Sequence, residues 1–253
     1  FDMSFDYGLS STEQLYESNI QEQWDWLLYP VNHHYHFGIK GPSSNIFENA
    51  IYQNVFPFIK YNSRVLDGGC GWGGPAEMLT KYKKCKVTAV SNSRGQIDHI
   101  KKRRQGIRAL KKDLNTFAPL RSYDVALFYE SLCHVQKSER ILKKISRRTK
   151  NLLIIDHISV ETPYYNPYWM MQFETLDGLC KKVERVGYKI QYAADLNFGK
   201  YLVPSSLYWK KRLEGIPYKT GQFAVLEESV NMWLDDPESF LKQNGLGLVY
   251  ASR

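Results

Sequence analysis

In the stretch Val65-Leu66-Asp67-Gly68-Gly69-Cys70-Gly71-Trp72-Gly73-Gly74-Pro75, a short apolar run ends in an acid and then dissolves into glycines. A chain so stripped of side chains suits a sharp turn that passes close beneath a ligand, in conformations closed to residues with a Cβ. Arg64-Val65-Leu66-Asp67 reads as a buried strand. Pro75 to Tyr82 reads as a helix, whose first turn accepts proline because that N–H has no helical partner anyway. The residues that follow keep the same alternation. Lys86 to Val90 is strand-like and Arg94 to Gln105 helical; Tyr123 to Tyr129 and Leu152 to Asp156 are apolar strands separated by a helix over Ser138 to Arg148. Strands alternating with helices in this way require a parallel sheet covered on both faces.

On either side of this block the pattern changes. Ser11 to Leu28 reads as an amphipathic helix with Leu15, Ile20, Trp24 and Leu27 on one face, and Asn45 to Ile59 as a second helix. Beyond Asp156, residues Glu161 to Phe173 are aromatic and punctuated by proline, Thr175 to Gly187 is helical and Tyr188 to Ala194 strand-like. Lys200 to Gly245 is too long for a simple connection and holds helical stretches around Tyr208 to Leu213 and Leu226 to Leu234. A last strand, Gly247 to Ala251, is expected to pair with the strand at Tyr188.

No repeat or low-complexity linker divides the 253 residues, so a single domain is the simplest account. Cys70, Cys85, Cys133 and Cys180 lie far apart, which suggests neither a disulfide framework nor a zinc knuckle; a reducing, cytoplasmic setting is expected, with no metal site. Apolar runs such as Leu152 to Ile155 fall far short of the ~18 residues that span a bilayer, so no membrane association is expected. The chain begins at Phe1, which leaves open a domain of a longer protein, and a homodimer is equally open. The formal charge of +8 permits an anionic partner but is spread along the whole chain.

Glycine turns of this kind serve nicotinamide, flavin and S-adenosylmethionine (SAM) enzymes alike. The acid discriminates. A carboxylate just ahead of the turn repels a pyrophosphate, whereas SAM carries a cationic amino group and a sulfonium that a carboxylate favours. Where nicotinamide enzymes usually place a ribose-binding acid, after the second strand, this chain has Ser91 and Asn92.

The run Asp67 to Gly74 resembles the first motif of class I SAM-dependent methyltransferases. Its Gly-Cys-Gly-Trp-Gly-Gly core is especially similar to the branch containing cyclopropane synthases, coclaurine N-methyltransferases and tocopherol methyltransferases, and Val90 to Gln96 fits the same branch. The resemblance covers roughly Tyr29 to Gly187. It implies an α/β, Rossmann-like fold: a mostly parallel seven-stranded sheet with helices on both faces and an inserted helical and aromatic lid. It divides the single domain into an N-terminal helical cap (1–60), a SAM-binding core (61–160), lid and remaining core (161–245) and a last strand (246–253). It also implies SAM as cofactor, S-adenosylhomocysteine as product, and a cofactor site built from Asp67, Gly69, Cys70, Gly71, Trp72, Ser91, Asn92, Gln96, Asp113, Leu114, Tyr129 and His36. Gln96 would stand near the ribose and Asp113 would accept from the adenine amino group, unless Asp113 is a solvated loop acid. His36 belongs to a His-x-Gly stretch that covers the cofactor in tocopherol-like relatives.

Methyl transfer is an in-line displacement in which positioning carries much of the acceleration. The reacting groups are expected beyond the fourth and fifth strands, at Glu130, His134, Asp156 and His157, with histidine the natural base near neutral pH. His134 as a helix anchor and His157 as a core residue stay open. Cyclopropane synthases carry a glutamate where this chain has Cys133, which argues against lipid cyclopropanation, and Cys133 reads as a packed thiol. Arg147 to Asn151 replaces the family's usual Pro-Gly-Gly turn. Nucleic acid is not expected as a substrate, because the fourth strand lacks the Asn/Asp-Pro-Pro-Tyr of amino-methyltransferases acting on bases and the basic runs suit solvated faces. Pro163 to Met171 and Tyr201 to Trp209 read as aromatic cover for a small substrate, with Tyr168, Trp169 and Tyr201 as contacts, or else as a packed interface. The expected activity is methylation of a small-molecule or peptide natural product at oxygen or nitrogen. Two alternatives stay open: carboxyl methylation of a modified peptide C-terminus, with Lys200, Lys210, Lys211 or Arg212 holding the anion, and a SAM-binding domain without transferase activity.

Overall fold

The structure, a computed structural model, describes residues 21–104, 106–219 and 221–253. Five parallel strands form its centre: β1 (Arg64–Gly68), β2 (Lys86–Ser91), β3 (Arg108–Lys111), β4 (Tyr123–Tyr129) and β5 (Thr149–Ser159), in the spatial order 3-2-1-4-5. The chain crosses over between β1 and β4, which opens a crevice at the carboxyl ends of these strands. Beyond β5 lies β9 (Asn244–Ser252), antiparallel to it, and then β8 (Lys189–Asp195), antiparallel to β9. The expected pairing of the last strand with the one after Tyr188 is therefore present, and the seven strands make the Rossmann-like sheet.

Central strands buried on both faces must be apolar at every position, and β4 and β5 divide their side chains between two cores. Val125, Leu127, Leu153 and Ile155 face one; Ala126, Phe128, Leu152 and Ile154 face the other. The second face is covered by α5 (Ser138–Ser146) and α6 (Leu176–Arg185). The first is covered by the N-terminal segments and by α7 (Gly199–Leu213) and α8 (Gly221–Asp235). Phe128 is fully buried against Gly68, where an added Cβ would lie 2.6 Å from its ring. Truncating such a side chain typically costs about 3–5 kcal/mol.

Several expectations need adjustment. The N-terminal helix is described over Gln21–Leu28, so the part of the Ser11 to Leu28 reading that includes Leu15 and Ile20 lies outside the described residues. The helix read over Asn45 to Ile59 runs only from Ile46 to Asn54, capped by the Asn45 side chain, and passes into a short 3-10 turn at Phe56–Phe58 around Pro57, whose ring and missing N–H end the helical ladder. Strand β3 was not read at all. The aromatic, proline-punctuated stretch from Glu161 to Phe173 contains a hairpin, β6 (Tyr164–Asn166) with β7 (Met171–Thr175), and β7 adds parallel to the end of β5. Within the expected lid, α6 and β8 belong to the layered sheet, while the hairpin, α7, α8 and a short helix at Pro237–Gln243 close over its edge. Among the described residues no helix is long and apolar enough to cross a membrane.

Candidate active site

The crevice holds a pocket at the ends of β1, β2 and β4. After Gly68 the backbone takes positive φ at Gly69 (79°) and Gly71 (52°). A Cβ on Gly69 would strike Ser131, whose hydroxyl donates to the Gly68 carbonyl at 2.7 Å, whereas one on Gly71 would meet nothing within 4 Å. Gly71 therefore presents bare backbone to open space. Asp67 is 1% exposed, its Oδ2 has no hydrogen-bond partner among the described residues, and burial pushes its carboxyl up to about 7. An orphaned buried carboxyl group beside a cleared glycine turn suits a cationic, hydroxyl-bearing ligand, so the residues present fit SAM.

The other cofactor candidates line the same pocket. Ser93 caps the helix Arg94–Arg103 through the Gln96 N–H (3.2 Å), and the Ser91 hydroxyl donates to Gln96 Oε1 at 2.6 Å, which sets the Gln96 amide against the wall shared with Asn92. Asp113 and Leu114 form the far end; Asp113 is exposed and its Oδ1 accepts from Asn115 N at 2.8 Å in an Asx turn. Cys70, Trp72 and Tyr129 also line the pocket, and burial raises the Cys70 thiol and Tyr129 hydroxyl well above their ordinary values. His36 closes the pocket from the N-terminal side. Its Nδ1–H donates to the Phe37 carbonyl (3.0 Å), which leaves Nε2 to accept from His34 Nδ1–H at 2.8 Å. Both rings are deeply buried and their pKa values lowered by it, so they are neutral.

A second cavity of about 390 Å³ adjoins the first, and Tyr35, His36, Glu130 and His134 line both. Its walls are aromatic. Trp169 stacks near Trp233 (centroids 6.3 Å) and donates to Ser229 Oγ at 2.9 Å, Tyr164 stacks on Phe173 at 4.6 Å, and Tyr168 bonds to Glu228. Glu130 stands at the junction with φ 47°, a backbone conformation costing about 1–3 kcal/mol in a residue with a side chain. Its two oxygens accept the Phe37 N–H at 2.9 and 3.1 Å, and Oε2 lies 3.7 Å from Nε2 of His157, which lines the cavity from β5. His134 lies against the Met170 carbonyl (3.3 Å); burial first, then His157, takes its pKa to about 4.

Two candidates lie elsewhere. Asp156 precedes His157 on β5, so strand alternation turns it to the opposite face, where it accepts N–H groups of Cys133 and His157, each at 2.9 Å. It is a buried structural acceptor whose carboxyl is raised by burial, and it lines neither cavity. Tyr201 is fully buried in the core, its hydroxyl accepting from Asn54 Nδ2 at 3.1 Å, and does not reach the second cavity. The cap residue Tyr35 and the wall residues Trp233 and Phe240 were not anticipated. Leu226, Ser229 and Trp233 repeat on one face of α8 at helical spacing, a signal that only burial separates from ordinary core packing.

Residues 65–151 match a family described as a methyltransferase domain. These residues form a methyltransferase domain. Relatives of known name include (S)-tetrahydroprotoberberine N-methyltransferase from Eschscholzia californica, 33% identical over 127 residues that cover 47% of this chain and 35% of that enzyme. The chain thus spans about a third of the length of the relatives it matches. Among solved structures, coclaurine N-methyltransferase bound to N-methylheliamine and SAH superposes with a TM-score of 0.79 at 20% identity, covering 95% of this chain and 80% of that one. The cyclopropane synthase MmaA2 from Mycobacterium tuberculosis superposes over 100% of both chains with a TM-score of 0.78 at 12% identity. The methyltransferase domain therefore shares its fold with enzymes of different acceptor chemistry, and its own acceptor must be argued from its second cavity.

Proposed function

We propose that the domain methylates the nitrogen of a small aromatic or apolar amine. The observation that carries this reading is the aromatic cavity meeting the cofactor pocket at Glu130, beside His157, with no lysine or arginine among the described residues of its lining. Aromatic faces and a carboxylate attract an amine or ammonium group, and a volume of about 390 Å³ suits a small molecule. Lys200, Lys210, Lys211 and Arg212, the candidates for holding a carboxylate, do not line it, which favours an amine over a peptide carboxylate. The named N-methyltransferase among the relatives supports nitrogen over oxygen.

When bound, SAM supplies an electrophilic methyl group. Asp67, the Gly69 to Gly71 backbone and Gln96 would hold it. The aromatic walls exclude water and restrict the amine to approach from the cavity side. Glu130, fixed by the Phe37 N–H, sets its carboxyl group beside the amine and beside His157 Nε2. His157 accepts the proton that the amine nitrogen must shed, and Glu130 stabilises the imidazolium formed. His134, with its pKa near 4, serves as a neutral polar wall.

The test is S-adenosylhomocysteine release against a panel of aromatic amines, the corresponding phenols and peptide carboxylates, with products located by mass spectrometry. N-methylated amines are expected. Turnover confined to phenols or carboxylates would overturn the nitrogen assignment, and SAM binding without turnover of any member would favour a non-catalytic SAM-binding domain.

A further inference from the structure

Behind the cofactor pocket, Asp25 on the N-terminal helix, His33 in the segment after it and His99 on the helix Arg94–Arg103 bring one donor atom each to within 4.8 Å of one another. We propose that these three side chains bind a divalent transition-metal ion of the zinc type, which clasps the N-terminal cap to that helix beside the cofactor pocket.

Geometry and burial carry the inference. His33 and His99 are 6% and 5% exposed, and His99 Nε2 is enclosed with no hydrogen-bond partner among the described residues. A buried imidazole nitrogen with nothing to bond is costly, and its lone pair is a ready ligand. His33 Nε2 stands 3.4 Å from Asp25 Oδ1, close to the ~3.3 Å edge of a tetrahedral site with bonds of about 2.0 Å. The two rings lie 4.2 Å apart and inclined at 52°, so they are not stacked, and small side-chain rotations bring both nitrogens toward a common point. Two imidazoles and one carboxylate form a donor set for zinc and its neighbours rather than for magnesium or calcium.

Positive charge stands near: Arg103 holds Asp25 Oδ2 at 3.0 Å, and Arg104, paired with Glu77, also faces His33. The Arg103 contact orients the carboxylate so that Oδ1 faces the histidines, and both cations temper affinity for the ion. The consequence reaches the cofactor. His33 lines the cofactor pocket, and Trp72, edge-on to His99 with centroids 5.3 Å apart, lines it too, so a metal here would stiffen two of its walls.

The experiment strips the full chain with a chelator and titrates Zn²⁺ alone by calorimetry, with thermal unfolding and Co²⁺ absorption alongside. One ion per chain, tetrahedral Co²⁺ bands and a zinc-dependent rise in Tm are expected. Asp25→Asn and His99→Gln should each weaken zinc binding on the order of tenfold or more and abolish the rise in Tm. SAM binding in metal-free buffer reports that each variant is folded; should His99→Gln fail it, Asp25→Asn, altered at a half-buried site, decides alone. No saturable binding to the wild-type chain, or equal zinc affinity in the folded variants, overturns the proposal. Because SAM binding is read separately, that failure is distinct from failure of the methyltransferase reading.

Discussion

Replacing Asp67 by asparagine separates the role of its charge from that of its shape. In the free protein burial alone raises the Asp67 carboxyl from its ordinary 3.8 to about 7. The folded state therefore binds a proton that the unfolded chain gives up between about pH 4 and 7, and stability contributed by this group falls as pH rises through that window, levelling off above it. At about 1.4 kcal/mol per pH unit the loss is about 4 kcal/mol. A cation delivered to the site reverses the preference. If SAM binds the ionised carboxylate, its affinity tracks the ionised fraction, which is about one part in a hundred at pH 5 and nearly complete at pH 8. Wild-type SAM affinity should thus rise about 100-fold between these values, with close to one proton released per SAM bound at pH 5 and almost none at pH 8. Calorimetry in buffers of different ionisation enthalpy measures both quantities. Asp67→Asn should bind SAM weakly at every pH, lose this slope, and unfold at a higher temperature than the wild type at pH 8 when no ligand is present. A wild-type affinity flat across pH 5 to 8, or an equal slope in the variant, would refute the reasoning.

Gly71→Val places a branched side chain at φ 52° into the open side of the turn; circular dichroism should report a retained fold and calorimetry the loss of SAM binding. His157→Ala and Glu130→Gln should each lower turnover with an aromatic amine on the order of 100-fold while leaving SAM affinity within about twofold, and His134→Ala should cost much less. Trp169→Ala should raise the KM for the amine far more than the KM for SAM, whereas Tyr201→Phe should leave both unchanged and cost about 1 kcal/mol in urea unfolding through its lost bond to Asn54. Asp156→Ala, which strands the buried Cys133 N–H, should destabilise by about 1–3 kcal/mol, readable in the same assay.

Most of the fold was legible because parallel sheets advertise themselves locally. Val65 to Asp67, Tyr123 to Tyr129 and Leu152 to Asp156 are apolar without alternation, and turn residues bound them at regular distances. Strand β3 was not legible: Arg108-Ala-Leu-Lys has two apolar residues and acquires its extended form from pairing with β2. The helix at Gly199–Leu213 was read only from Tyr208 onward, because Pro204 interrupts a pattern that packing against α8 sustains. Reading β5 only to Asp156 hid a further distinction. The strand continues to Ser159, and its alternation sends His157 toward the cavity and Asp156 away from it.

The cofactor turn could be read from the sequence by itself, since its chemistry depends on neighbours in the chain: an acid, then glycines, at the end of a strand that leads into a helix. The backbone there adopts conformations that few other sequences allow, so local composition and local geometry are nearly the same statement. The acceptor cavity and the Asp25, His33 and His99 cluster are of another kind. Most of their members come from segments tens to more than a hundred residues apart, and aromatic-rich stretches of different kinds place Trp169 on a cavity wall and Tyr201 in solid core. Only tertiary packing decides between those outcomes, because burial and partnership arise from which distant surfaces meet, and that depends on filling the space between the sheet and its cap.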